Sequence, residues 1–483
     1  MKVKHSKSTS VLLINPPQSD DELFGKYKNL AGYFIPVGLL SIAAVLKANG
    51  YTVKILDSVI EGMTFDNFRE FIRSTDYDIV GITSFTNTFQ NTIDAARIVR
   101  EELSDALIVI GGVHVTALPV RSLNDCPDAN IIVIGEGEYT LLDICEHVER
   151  HNRDFSDIQG IVYRNQSEPK TTPPRPIIKH LDELPIPAYE DIPLEKYIPD
   201  DSISKYTPCY SLFASRGCPY NCIFCSAHIT MGKQPRYKSL DYFFNEIDLL
   251  IEKYNAKAFI IQDSTLLNNK KWVKTLCERL IANNYKIHWT CNARVDQVDE
   301  HILVLMKKAG CWLIEYGAES ANPKSLTLLR KAFTVEQIRV AIEQTRNAGI
   351  MVACTYIIGC PGEDLNDAWH TVRFAREMAT EFAMFFLPVP YPGTILYDVC
   401  QKDGGLQTNI SWKDYSAVNY NNPIYVNPRI DPETFKTLPD RAVFEYYKSI
   451  KVLWYNLVKI STSNDIKRYW KAAKLLILNS NVK

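Results

Sequence analysis

No stretch of 18 apolar residues occurs in the 483-residue chain, so nothing in it reads as a membrane-spanning helix. An excess of basic charge is also missing. The 54 Lys and Arg face 56 Asp and Glu, for a formal net charge of -2, whereas a general nucleic-acid binder needs surplus cations for its phosphate contacts. RNA and DNA are thereby disfavoured as partners. A secretory leader is not legible either, because the basic residues 1–10 are followed by an apolar run at 11–14 that is far too short for one. Cysteine is sparse, 12 in all. Nine of them stand singly and, without a leader, read as reduced core thiols of a cytoplasmic protein. The bulk composition, 46% hydrophobic and 23% charged, is that of a globular chain, at a length that suggests roughly two to four domains.

The other three cysteines fall within eight residues, Cys218, Cys222 and Cys225, in Ser215-Arg216-Gly217-Cys218-Pro219-Tyr220-Asn221-Cys222-Ile223-Phe224-Cys225. Short, fixed thiolate spacings are how iron-sulfur clusters are held, and a cubane with only three protein thiolates leaves one iron open to another ligand. A structural zinc site would instead need four closing ligands. The nearest further candidates, Cys209 and His228, stand at unusual offsets for that.

Residues 1–150 alternate short apolar strands (11–14, 52–57, 79–83, 107–110, 131–134) with amphipathic helices, including 36–50 and 139–150. That alternation predicts a doubly wound parallel sheet, with any ligand beyond the strand C-termini. Those ends carry Asn15, Asp57, Thr83-Ser84, Gly111-Gly112 and Gly135-Glu136-Gly137-Glu138. Residues 151–205 are rich in Pro and weakly periodic, a linker or strap. A second alternation follows at 206–420, with strands at 211–215, 258–262, 287–291, 312–316, 352–358 and 383–387. Six such units predict a partial (β/α)6 barrel of TIM type, with the cysteines in the loop after its first strand, on the face where barrel enzymes keep their sites. Residues 421–483 read as helical, and from Lys448 onward eight Lys or Arg accompany one acid, Asp465. Such an end either packs on its own domain or lies peripherally on an anionic membrane through 448–483.

The cysteine motif after a first barrel strand resembles the radical S-adenosylmethionine superfamily, with Phe224 at its usual aromatic position. Further strand ends resemble that superfamily's contacts to S-adenosylmethionine: Asp263 after the second strand, Asn292-Ala293-Arg294 with Asp296 after the third, Glu319-Ser320 after the fourth, and Gly359-Cys360-Pro361-Gly362-Glu363 after the fifth. The N-terminal half is similar to the cobalamin-binding, Rossmann-like domain found in one class of these enzymes, and Pro390-Tyr391-Pro392-Gly393-Thr394 resembles members related to the anaerobic Mg-protoporphyrin monomethyl ester cyclases and to carbon methyltransferases. The resemblance spans residues 10–420. It implies a 4Fe-4S cluster on Cys218, Cys222 and Cys225, S-adenosylmethionine near Phe224, Asp263, Arg294, Glu319, Ser320 and Gly359, and cobalamin near Asn15, Ser84, Gly111, Gly112, His114, Gly135, Glu136 and Gly137. One departure from the class stands out: residues 11–50 contain no His, so cobalt would lack a His lower ligand, and His114 would sit beside the cofactor.

By that resemblance the protein cleaves S-adenosylmethionine to a 5'-deoxyadenosyl radical and functionalises an unactivated carbon, with methyl transfer as the expected outcome. Cyclisation, rearrangement or C-C coupling of a tetrapyrrole or lipid is the alternative, and a non-catalytic redox or light sensor is the reading outside enzymology. Expected partners are a small or lipid-like substrate and an electron donor such as flavodoxin or ferredoxin. Tyr391 and Cys360 stand where a proton or hydrogen donor could be, but core packing is the role expected of each.

Overall fold

The computed structural model describes residues 9–30, 32–166, 168–200, 202–418, 420–457 and 460. They form two compact units, one of residues 1–23, 35–197 and 226–237, the other of residues 24–34, 198–225 and 238–483. Among the described residues no helix is long and apolar enough to cross a membrane.

The first unit is built on a seven-stranded sheet. Its strands are β1 Ser10–Asn15, β2 Thr52–Asp57, β3 Ile79–Thr83, β4 Leu107–Gly111, β5 Ile131–Val133, β6 Ile161–Asn165 and β7 Glu168–Thr171, in the order β2-β1-β3-β4-β5-β6-β7. The first five pair in parallel, as the alternation of strand and helix predicts. Val11, Leu12, Leu13 and Ile14 are all 1% exposed or less, which is why β1 reads as an unbroken apolar run and not an alternating one. The order 2-1-3-4-5 reverses between β1 and β3, and in such sheets the crevice at that switch is where ligands bind. Asn15 ends β1 and Ser84 follows β3.

The sheet differs from the expectation at its far edge. The stretch 151–205, which reads as a connector, supplies β6 and β7, antiparallel to β5 and to each other. Pro169 sits in β7, and an edge strand is the place in a sheet that tolerates a missing N–H. Short strands with few apolar residues leave no clear periodicity, so the hairpin is invisible in one sequence.

The second unit carries six parallel strands: β8 Cys209–Leu212, β9 Ala258–Ile261, β10 His288–Ala293, β11 Cys311–Glu319, β12 Met351–Ile357 and β13 Phe382–Phe386, in sequential order. This is the expected partial barrel. Helices between the strands start at side-chain caps: Ser239 accepts from Tyr242 N at 3.1 Å, Asp299 from Ile302 N at 3.0 Å, and Thr334 pairs reciprocally with Gln337. Helices Pro432–Tyr447 and Ile450–Leu457 give the C-terminal segment its helical character. Apart from Ile460, residues 458–483 of the basic end lie outside the described residues.

Candidate active site and cofactor-binding residues

In the second unit, Cys218, Cys222 and Cys225 are each partly exposed, while the other nine cysteines are buried. The loop is pinned at its middle: Ile223 N donates to Leu329 O at 3.3 Å, and Ile223 O accepts from Leu396 N at 2.9 Å. Ile223 is buried among Leu329, Cys360 and Phe435, so one apolar anchor lets the flanking thiols stay accessible. Burial raises the Cys218 thiol, with the nearby Cys222 adding to it, whereas Arg294 and Lys331 pull it down. Among the described residues no three His, Cys, Asp or Glu side chains are gathered as a ready metal site. The three thiols are reachable, and Cys225 N donates to Cys222 O at 3.3 Å within the loop.

Two residues from the later strands come together beside this loop. Glu319 ends β11 at φ +63°, in the left-handed region that side chains rarely adopt, where the register with β12 also breaks. Its carboxylate pairs with Lys331 Nζ at 2.9 Å, both side chains 7% exposed. Lys331 Nζ lies 5.6 Å from the Phe224 ring centre, which brings Phe224 and Glu319 to one place. Arg294 lies flat over Tyr220 at 3.7 Å and pairs with Asp296 at 2.9 Å. Its Nη2 also donates to Lys331 O. Its Nη1 is buried and has no hydrogen-bond partner, a cationic donor left over for a ligand.

The remaining residues of this set hold backbone. Asp263 is 1% exposed and accepts from Ala214 N at 2.7 Å and from Ser215 Oγ, tying down the end of β8 just before the cysteines. Burial pushes its carboxyl up to about 6 despite those donors. Ser320 is fully buried and bonds Thr371 Oγ1 at 3.2 Å and Asn322 N at 3.0 Å. Gly359 turns at φ +77° against the Phe435 ring, where a Cβ would stand 2.6 Å from Cε2. The turn is fastened from two sides: Glu363 accepts from Gly359 N at 2.8 Å and Cys360 N at 3.0 Å, while Asn427 Nδ2 donates to the carbonyls of Cys360 and Glu363 at 2.9 Å. Cys360 is fully buried in this packing. Sequence reading missed Lys331, Tyr220, Asn427 and Phe435, whose partners named above lie 12 to 107 residues away in the chain. Only the Arg330-Lys331 pair just past a helix end was a signal.

In the first unit, Ser84, Gly111, Gly112 and His114 form one cluster. Ser84 N donates to Gly111 O at 2.9 Å, and a Cβ on Gly112 would stand 2.4 Å from Ser84 O. Ser84 Oγ is buried without a hydrogen-bond partner at the β3 end, beside the switch point, and Ser58 Oγ after β2 is likewise unpartnered. Asn15 Nδ2 donates to Asp57 Oδ1 at 2.8 Å. His114 is 1% exposed, stacks on Phe89 at 4.1 Å and shares a hydrogen bond with Thr86 Oγ1 at 3.3 Å. Burial, helped by Arg121, lowers it to about 4, so it is neutral at pH 7. Gly135 N donates to Thr116 Oγ1 at 3.0 Å, and Gly137 caps the helix Glu138–Glu149. The Glu136 carboxylate takes Arg236 Nη1 at 2.9 Å and Ile178 N at 2.9 Å.

Comparison with known proteins agrees with this layout. Residues 28–144 match the B12 binding domain and residues 212–375 the radical SAM superfamily. An uncharacterised methyltransferase of Pyrococcus horikoshii is 31% identical over 92% of this chain and 94% of its own length. The anaerobic magnesium-protoporphyrin IX monomethyl ester cyclase of Rubrivivax gelatinosus is 29% identical over 82% of this chain and 70% of its own. Among solved structures, the radical S-adenosylmethionine methyltransferase TsrM from Kitasatospora setae, with cobalamin and a [4Fe-4S] cluster bound, superimposes with a TM-score of 0.70 at 15% identity. The match covers 99% of this chain and all of that one, a likeness of fold. The chain therefore belongs to the cobalamin-binding radical S-adenosylmethionine enzymes, whose cofactors are a 4Fe-4S cluster, S-adenosylmethionine and cobalamin.

Proposed function

We propose that this enzyme methylates an unactivated carbon of a small or hydrophobic substrate. When bound, the three cofactors supply the electron, the radical and the methyl group, and the chain supplies position, charge and shelter from water. Cys218, Cys222 and Cys225 hold the iron, and their exposure beside nine buried thiols is the observation that carries this reading. Arg294 offers its spare Nη1 to S-adenosylmethionine, and the Phe224, Lys331 and Glu319 group forms the wall next to it. Asp263, Ser320 and Gly359 act as positioning residues through the backbone they fasten. For cobalamin, Ser84 Oγ is the free hydroxyl, and Asn15, Gly111, Gly112, Gly135 and Gly137 shape the strand ends. Glu136 serves there through Arg236. His114, buried and neutral, would lie beside the cofactor as a hydrogen-bonding residue.

The test is anaerobic reconstitution followed by S-adenosylmethionine and a one-electron donor of flavodoxin or ferredoxin type. Both 5'-deoxyadenosine and S-adenosylhomocysteine are expected, with a cobalamin spectrum. No 5'-deoxyadenosine rejects the reading; 5'-deoxyadenosine alone moves it to cyclisation or rearrangement. Nine buried free thiols support a reducing, cytoplasmic setting.

A peripheral membrane contact through 448–483 has one supporting observation. On helix Ile450–Leu457, Ile450, Leu453, Trp454 and Leu457 are 84%, 45%, 68% and 59% exposed at i, i+3, i+4 and i+7, an apolar stripe leading into the basic end. Anionic liposomes should sediment the full chain and leave a chain ending at residue 449 in solution; equal recovery of both in the soluble fraction sinks the idea.

A further inference from the structure

Four adjacent strands of the barrel sheet, β10 to β13, show solvent on one face only. Strand pairing sets Asn292 beside Glu315, Gly317 beside Thr355 and Thr355 beside Met384, and all five are partly exposed. The alternate residues Cys291, Ile314, Tyr316, Cys354, Tyr356 and Phe385 are 2% exposed or less against the helices. In the middle of a packed sheet, accessible side chains on one face mean an internal cavity. Its floor is closed by Ile203 and Tyr206, which pack on Ala258, Ile260, Leu313 and Ala353. The cavity wall thus mixes Asn292 and Thr355 with Met384, and it carries one acid, Glu315.

Glu315 is used by nothing in the site described above. Among the described residues its carboxylate makes no hydrogen bond or ion pair, while the nearby cation, Lys331, is taken by Glu319 at 2.9 Å. Burial and, second, the negative charge of Glu319 push its carboxyl up to about 7. Withdrawal from bulk water with no counter-charge disfavours the ionised carboxylate, so a site that retains one is suited to a ligand that brings the charge. Glu315 also lies four residues inside β11 from Glu319, on the order of 10 Å at strand spacing, below the strand-end layer assigned to S-adenosylmethionine.

We propose that Glu315 is the substrate-recognition carboxylate of the barrel cavity, and that the substrate is a compact molecule with an apolar body and a cationic amine that pairs with it. This rests on the enzyme reading above and adds the substrate class. The Glu315 carboxylate orients the ammonium group, Asn292 and Thr355 offer the neighbouring hydrogen bonds, and Met384 covers the apolar body.

The test is calorimetric titration of the full-length protein with benzylamine, phenethylamine and tryptamine, against phenylacetate, indole-3-acetate and benzyl alcohol. The amines should bind and the acids and alcohol should not. Glu315→Gln should weaken amine binding at least about tenfold, since removing one member of a buried charge pair has effects of that size or more. Glu315→Asp, which keeps the charge, should recover part of it. Equal binding of amines and acids, no amine binding at millimolar concentration, undiminished binding by Glu315→Gln, or displacement of the amine by S-adenosylmethionine would each overturn the assignment. The wild-type panel decides the matter even if the variants fail to fold. Amine binding needs no cluster, so an enzyme that forms 5'-deoxyadenosine yet ignores amines sinks only this inference. One that binds amines yet forms none sinks only the function.

Discussion

Replacing Cys222 with alanine is expected to lower 5'-deoxyadenosine formation by about 10³-fold or more, because it removes a ligand and with it the geometry that makes electron transfer possible, a contribution of at least about 4 kcal/mol. Cys218→Ala and Cys225→Ala should behave alike. The other nine thiols are buried, and burial pushes Cys126 up to about 11 and Cys145, Cys209 and Cys354 up to about 12, so these are poor substitutes. Melting temperature of the apo-protein should barely move, since the three side chains are partly exposed and the loop's anchor is Ile223. Iron and sulfide content, the visible absorbance of the cluster and product formation are the measurements. A Cys222→Ala protein with full iron content and undiminished cleavage would remove the thiols from the site.

Gly112→Ala is expected to destabilise the N-terminal unit by about 3 kcal/mol or more, through backbone strain of about 1–3 kcal/mol and a steric clash of similar size. Gly112 holds φ 111° and ψ -177°, a region essentially closed to residues with a Cβ. An added methyl would also meet Ser84 O at 2.4 Å and Ser84 N at 2.8 Å, both backbone atoms that cannot swing aside. Its neighbour is the control. Gly111 ends β4 with nothing within 4 Å of an added Cβ, so Gly111→Ala should cost less than about 1 kcal/mol. Denaturant unfolding followed in both variants, together with cobalamin content after purification, separates fold from binding. If Gly111→Ala keeps its stability and loses cobalamin, the open side of that glycine faces the cofactor; if Gly112→Ala unfolds at the wild-type midpoint, the strain argument fails.

Those two glycines illustrate where sequence reading stops. Adjacent in the chain and equal as symbols, they are distinguished only by φ and by what stands over them. The same holds for the acids. Glu136 and Glu319 both follow strands, yet Glu136 is consumed by Arg236, and Glu319 is joined to Lys331 near the cysteine loop. Glu315 sat in plain view inside a strand, but an alternating face has no inside or outside until the sheet closes. Asn427 and Phe435, in a stretch with no motif at all, turn out to hold the Gly359 turn.

What the amino-acid order determined alone was local: strand and helix period, the spacing of Cys218, Cys222 and Cys225, and the polar and glycine residues that end each parallel strand. These survive translation into structure because backbone pattern and short spacing depend on near neighbours only. The tertiary structure decided which strand-end groups have partners and which are left over, as with Arg294 Nη1 and Ser84 Oγ. It also added the antiparallel hairpin of β6 and β7 and placed Glu315 on the face of the sheet that solvent reaches. Those outcomes depend on pairings across tens to hundreds of residues, whose free energy arises only when the chain is folded and water has been excluded.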